Sequence, residues 1–233
     1  MENNSFLVKN SVLKKYQADP GMDGQFIINI PNNITSVGTE AFRNRNDIAS
    51  VTIPGTVVRI GPWAFAGCQY LESTVMKEGV TSIADHAFDF CERMKSVIIP
   101  NSVSTIGKRA FEGCRRLESL TIPNGVTTIC EGLCFGCKEL RNVVIPNGIT
   151  AVGKAAFCFC FSLESVIIPE GVTEIGNEAF SYCHSLKQIT IPKSVTSIGK
   201  KAFTECKGLI IRAPAGSYAE AYAVKNKIQF IAE

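Results

Sequence analysis

Ten cysteines and two histidines carry most of the reactive chemistry available to this chain, and their spacing decides what they could do. Cys134-Phe135-Gly136-Cys137 has the C-x-x-C form, and Cys130, Cys158 and Cys160 lie close by in sequence. Such a cluster could hold zinc or run a dithiol–disulfide couple, provided that the sulfurs converge on one point from compatible directions. His86 and His184 occupy separate parts of the chain, so they share no active site. A Cys183–His184 nucleophile pair would need its thiol to turn outward. No phosphate-cradling glycine loop, dinucleotide fingerprint, G-x-S-x-G or metalloprotease helix motif occurs. The chain therefore reads as a non-enzyme, with no cofactor and no metal site assigned.

The elements that must position these cysteines form a repeat. Ile-Pro recurs every 23 residues, at Ile30-Pro31, Ile53-Pro54, Ile99-Pro100, Ile122-Pro123, Ile145-Pro146, Ile168-Pro169 and Ile191-Pro192, with Met76-Lys77 in the single gap. In the same register come Gly38, Gly61, Gly107, Gly153, Gly176 and Gly199, replaced by Ala84 and Cys130. Four residues later stands a Phe, as in Phe65, Phe88, Phe111 and Phe157, and Cys134 takes its place once. Three further on is a Cys, at Cys68, Cys91, Cys114, Cys137, Cys160, Cys183 and Cys206, with Arg45 in the first unit. A fixed period with apolar anchors at constant offsets marks a solenoid, each unit one coil that buries its face against its neighbours.

Each unit divides into three pieces. A strand such as Leu117 to Ile122 is closed by its proline; a β-branched segment such as Gly125 to Ile129 gives a second short strand; Lys108 to Cys114 fits a helical or 3₁₀ turn that drives Ala110 and Phe111 inward. Stacked coils would place equivalent cysteines about 4.8 Å apart with parallel side chains, which suits buried reduced thiols better than disulfides. A reduced ladder implies a reducing or anaerobic setting. Leu133-Cys134, standing where other units have Ala-Phe, reads as compensated repacking.

These residues resemble the BspA-like, treponemal class of leucine-rich repeats, whose unit runs roughly L-x-x-V-x-I-P-x-x-V-T-x-I-G-x-x-A-F-x-x-C. Leu163 to Cys183 matches at every fixed position, through Val166, Ile168, Pro169, Val172, Thr173, Ile175, Gly176, Ala179 and Phe180. The expected fold is a β-rich α/β solenoid: a right-handed leucine-rich repeat array of eight coils over residues 31–214, parallel strands alternating with short helical or 3₁₀ turns. Residues 1–30 would form an N-terminal capping hairpin, with Asn10-Ser11 at its turn. Residues 215–233 would form a C-terminal cap of one helix, opened by the capping box Ser217 to Glu220, and one strand from Ile228 to Ile231. The resemblance implies a surface or secreted protein of a host-associated or anaerobic microbe that adheres to host or cell-surface proteins.

The net charge of +3 is too small to point to nucleic acid or an acidic membrane. Lys108, Arg109, Arg115 and Arg116, and Lys193, Lys200, Lys201, Lys207 and Arg212, are basic clusters diluted by neighbouring Glu residues, which reads as solvated charge. No apolar run is long enough to insert into a membrane. Met1 to Phe6 lacks a basic segment followed by an apolar one, so the competing expectation to the surface role is a cytoplasmic scaffold. A monomer with one protein ligand is expected. Two surfaces could carry that ligand. One is the outward offset of the first strand, holding Val75, Ile98, Thr121, Val144 and Ile167, which competes with a plain solvated β face. The other is the offset just before the Cys, where Phe90, Phe159 and Tyr182 replace Gly67, Gly113 and Gly136 of other units, with Phe161 beside them.

Overall fold

The computed structural model describes residues 6–17 and 26–233. The reading of Met1 to Ser5, and part of the expected N-terminal cap, lie outside these residues. The chain winds into a β-solenoid of parallel strands with about nine turns. Beyond the expected eight coils, a parallel strand is added at each end, Phe26–Asn29 on Ile48–Ile53 and Gln229–Ala232 on Ile210–Ala213.

Eight coils contribute one strand to each of two series, and the last two long strands, Ile210–Ala213 and Gln229–Ala232, are joined by a helix instead of a short strand. The longer strands stack as Phe26–Asn29, Ile48–Ile53, Ser73–Met76 and Ser96–Ile98, then Ser119–Thr121 with Asn142–Val144, then Ser165–Ile167, Gln188–Thr190, Ile210–Ala213 and Gln229–Ala232. The short strands stack as Ser36–Val37, Arg59–Ile60, Ser82–Ile83 and Thr105–Ile106, and separately as Thr128–Ile129, Ala151–Val152, Glu174–Ile175 and Ser197–Ile198. The first short series is capped by an antiparallel hairpin, Phe6–Lys9 with Val12–Tyr16, whose turn residues Asn10 and Ser11 have φ of 53° and 58°. Both central residues at positive φ give the turn that matches the right-handed twist of paired strands.

The third side of each coil is neither α nor 3₁₀ helix. Arg109 adopts φ 54° and Gly113 φ 66°, a left-handed residue every fourth position that no right-handed helix contains. Backbone amides there alternate in their partners. Arg109, Phe111 and Gly113 donate to Glu131, Leu133 and Phe135 of the next coil, while Glu112 and Cys114 close turns onto Arg109 and Phe111. The expected helical turn is thus a hydrogen-bonded ladder of tight turns, which satisfies every second amide between coils. Among the described residues the one helix is Tyr218–Asn226, N-capped by Ser217, whose side chain accepts from the Glu220 amide.

The core is a set of columns. Phe42, Phe65, Phe88 and Phe111 stack with centroids 4.6, 5.0 and 5.5 Å apart. Cys134 interrupts the column, and Phe157, Phe180 and Phe203 resume it at 5.4 and 5.7 Å. The short-strand series breaks in the same coil, at Cys130. In the other coils this position admits almost no side chain: a Cβ on Gly107 or Gly153 would fall 2.4 or 2.6 Å from backbone of the preceding coil. Ala84 shows that a methyl is accommodated, since its amide still reaches Ile60 O at 3.0 Å. Cys130 adds a sulfur. Thr128–Ile129 no longer pairs with Thr105–Ile106, and a groove of about 680 Å³ lined in part by Thr105, Ile106, Thr128 and Cys130 opens between the coils.

Candidate recognition edge

The ladder cysteines from Cys68 to Cys183 are buried behind the turns, Cys206 in the last coil is half-buried, and all ten cysteines are free thiols. Each ladder sulfur donates to a main-chain carbonyl of the coil before it: Cys91 to Phe65 at 3.2 Å, Cys114 to Phe88 at 3.2 Å, Cys137 to Phe111 at 3.1 Å and Cys160 to Cys134 at 3.2 Å. The sulfurs are thereby committed one by one to separate carbonyls and do not gather around a common centre. Burial pushes the thiols of Cys91, Cys134, Cys160 and Cys183 well above their ordinary range, and that of Cys158 up to about 11. A protonated, enclosed thiol is a poor nucleophile and a poor metal ligand. Sequence reasoning treats Cys here as a small apolar filler; its S–H donor is the further reason it suits the position.

Val75, Ile98, Thr121, Val144 and Ile167 all face solvent, with Ile167 70% and Ile98 58% exposed. The coils that carry them stack throughout, and Val144 and Ile167 line one shallow cavity, but the strand ladder lapses twice. Val75 pairs with Ile98, and Thr121 with Val144, but no ladder joins Ile98 to Thr121 or Val144 to Ile167.

Along the turn edge, by contrast, three adjacent columns converge. The column just before the Cys runs Phe90, Gly113, Gly136, Phe159, Tyr182. The column just after it runs Arg115, Lys138, Phe161, His184, and the column two before it runs Asp89, Glu112, Phe135. The Phe90 ring lies over Gly113, Gly136 beyond it is uncovered, and a slot of about 350 Å³ opens along this glycine floor. Phe90 and Phe159 close its ends, Glu112 and Phe135 form one wall, and Arg115, Lys138 and Phe161 the other. The upper end is an aromatic assembly. Phe159 stacks on Tyr182 at 4.7 Å and meets Phe135 edge-on at 5.3 Å; Phe161 stacks on His184 at 5.0 Å with the Lys138 ammonium 5.6 Å from its centroid. Of the four aromatic residues singled out from sequence, Phe159, Phe161 and Tyr182 come together, while Phe90 stands at the opposite end of the slot.

The backbone explains why glycine alternates with aromatics in this column. Phe90, Phe159 and Tyr182 have φ of 53°, 61° and 59°, and Gly67, Gly113 and Gly136 have φ of 72°, 66° and 74°. The site is left-handed in every one of these units, so glycine is the relaxed residue and each aromatic side chain is held at a conformational penalty. Phe135 and His184 escaped sequence reasoning. Their signal was present, since Phe135 stands where sibling units have Ala66, Asp89, Glu112 or Ser181, and His184 follows Phe161 at the same offset.

The repeat model for the BspA type leucine rich repeat region matches residues 27–138 and 104–219, in six copies. The chain belongs to the BspA type leucine rich repeat family. Among solved structures, this BspA type array is similar to a leucine rich cell surface protein from Faecalibacterium prausnitzii A2-165, with 26% identity and a TM-score of 0.62 over 91% of this chain and 75% of that one. It shares its fold with the leucine rich repeat protein of T. pallidum, at 22% identity and a TM-score of 0.63 over 98% and 96% of the two chains. It is also similar to a leucine-rich repeat protein from Bacteroides ovatus ATCC 8483, at 25% identity and a TM-score of 0.53 over 89% and 68%. No curated protein matches the chain. No helix among the described residues is long and apolar enough to cross a membrane.

Some of the basic side chains of this BspA type array are paired, while Arg116, Lys193, Lys200 and Lys201 of the two basic clusters form no ion pair among the described residues. Arg109 meets Glu112 at 3.1 Å, Arg115 meets Glu92 at 3.4 Å and Lys207 meets Glu205 at 3.5 Å. At the lower end of the slot, His86 Nδ1 lies 2.9 Å from Asp89 Oδ2 while Trp63 stacks on the imidazole at 5.2 Å. Burial raises the Asp89 carboxyl above its ordinary range, opposed by the hydrogen bond from His86. Burial and then the Asp89 charge raise Glu112, with Arg109 opposing.

Proposed function

We propose that this protein is a non-enzymatic, adhesin-like scaffold that binds host or cell-surface proteins through its turn edge. The carrying observation is the strained aromatic column: Phe90, Phe159 and Tyr182 stand where glycine would relax the backbone, and 44% of Phe90 and 37% of Tyr182 remain exposed. Side chains that stabilise neither backbone nor core are the kind retained for contact, and aromatic anchors around a desolvated pocket are the usual hot spots of protein recognition. The ligand's complement is an apolar or aromatic side chain for the slot, with a carboxylate for Arg115 and Lys138.

The outward strand face is the second reading, supported by the exposure of Val75, Ile98, Val144 and Ile167. Two variants separate the surfaces. One carries Val75→Glu, Ile98→Glu and Val144→Glu; the other carries Phe90→Gly, Phe159→Gly and Tyr182→Gly. Immobilised on beads and offered cell-surface and matrix extracts, the first should retain the partners of the parent protein and the second should lose them. Loss by the first alone assigns recognition to the strand face. Partners captured only from cytosolic extracts would favour the cytoplasmic scaffold over the surface role.

A further inference from the structure

We propose that His86, Asp89 and Glu112 bind a divalent transition-metal ion such as zinc. The three residues come from two successive coils, Asp89 and Glu112 at equivalent offsets and His86 one turn before Asp89. One imidazole nitrogen and two carboxylate oxygens lie within 4.8 Å of one another. Ligand atoms about 2.0–2.2 Å from a tetrahedral zinc stand roughly 3.3–3.6 Å apart, so side-chain rotation alone brings the set into range.

Three observations say that the cluster has bonding capacity to spare. Asp89 Oδ2 takes the His86 contact, but Asp89 Oδ1 is buried with no hydrogen-bond partner. Buried polar atoms are rarely left unpaired in native proteins, and a cation would satisfy this one. The His86 ring is fixed from outside the cluster, by Trp63 stacked 13° from parallel, so the nitrogen is presented without further ordering. Glu112 is itself 9% exposed, and the two carboxylates on neighbouring coils face one positive neighbour, Arg109. Arg109 is a rival for Glu112, held at 3.1 Å, yet its side chain is 46% exposed and can turn into solvent when a metal arrives. The imidazole selects against calcium and magnesium, which prefer oxygen throughout, and the two carboxylates suit zinc, manganese or cobalt. Three protein donors leave a position open, and Glu112 also lines the aromatic slot, so the metal site and the slot are contiguous.

The test is titration of the reduced full chain with Co²⁺, which reports both stoichiometry and ligand type. One equivalent should bind without a thiolate-to-cobalt charge-transfer band, and Zn²⁺ should displace it. His86→Ala and Glu112→Gln should each abolish uptake, Arg109→Gln should tighten it, and Cys130→Ser should leave it unchanged. If His86→Ala fails to fold, His86→Gln carries the test, because its amide can still donate to Asp89 while offering a poor metal ligand. No uptake at millimolar Co²⁺, uptake with a thiolate band, or uptake that survives the His86 and Glu112 variants would overturn the assignment.

Discussion

Phe90→Gly should give a more stable protein than Phe90→Ala, the reverse of the order found at ordinary exposed positions. Phe90 sits at φ 53°, in the left-handed region. That region costs an L-residue about 1–2 kcal/mol, a penalty that alanine keeps and glycine removes. Glycine loses about 0.5–1 kcal/mol relative to alanine through the freedom it gives the unfolded chain. The balance favours glycine by about 0.5–1 kcal/mol. Comparing the two variants with each other cancels the contact that the Phe90 ring makes over Gly113, since both lack the ring. At Thr121, exposed on a strand, the same pair of substitutions should reverse sign, with alanine ahead by about 0.5–1 kcal/mol. Urea denaturation with a common m-value reads each difference as a shift in midpoint. If alanine proves the more stable at position 90, or if both positions show the same order, the left-handed column and the strain argued from it are wrong.

Phe111→Ala should destabilise by about 3–5 kcal/mol in the same assay, because it empties a fully buried site between Phe88 and the smaller Cys134; a loss below about 1 kcal/mol would contradict the inward column. Thr74→Val should stabilise by about 1–3 kcal/mol, since Thr74 Oγ1 is buried without a partner between Val51 and Val97 of the flanking coils; a destabilised variant would mean that the hydroxyl is satisfied. Stability should fall as pH rises above about 9, because thiols raised in the folded state stay protonated while the unfolded chain releases its protons; the stabilisation is full below the unfolded value and disappears towards the folded one. A denaturation midpoint flat from pH 8 to pH 10.5 would refute the buried-thiol ladder.

The repeat was readable because a solenoid writes its core into the sequence at a fixed interval: Ile, Gly, Phe, Cys and Leu return at constant offsets, and both the hairpin turn at Asn10-Ser11 and the cap at Ser217 carry local signals of their own. What escaped is backbone conformation. Gly107, Ala110 and Cys114 look like a helical turn in one dimension, but inter-coil hydrogen bonds from alternate amides outweigh the local i to i+3 preference and force Arg109 and Gly113 left-handed. The aromatic edge was visible at Phe90, Phe159, Phe161 and Tyr182, yet glycine in that column reads from sequence as tolerance of small size when its reason is positive φ. The slot and the His86, Asp89 and Glu112 cluster are built across coils, from residues about one repeat apart. Only an alignment of the units by offset brings them together.

Photo-crosslinking from defined positions tests the recognition edge most directly. A photoreactive phenylalanine analogue placed at Phe135, inside the slot, should crosslink to the protein partner, and the same analogue at Thr121, in the middle of the strand face, should not. Crosslinking from Thr121 with none from Phe135 would contradict the account and move recognition to the sheet.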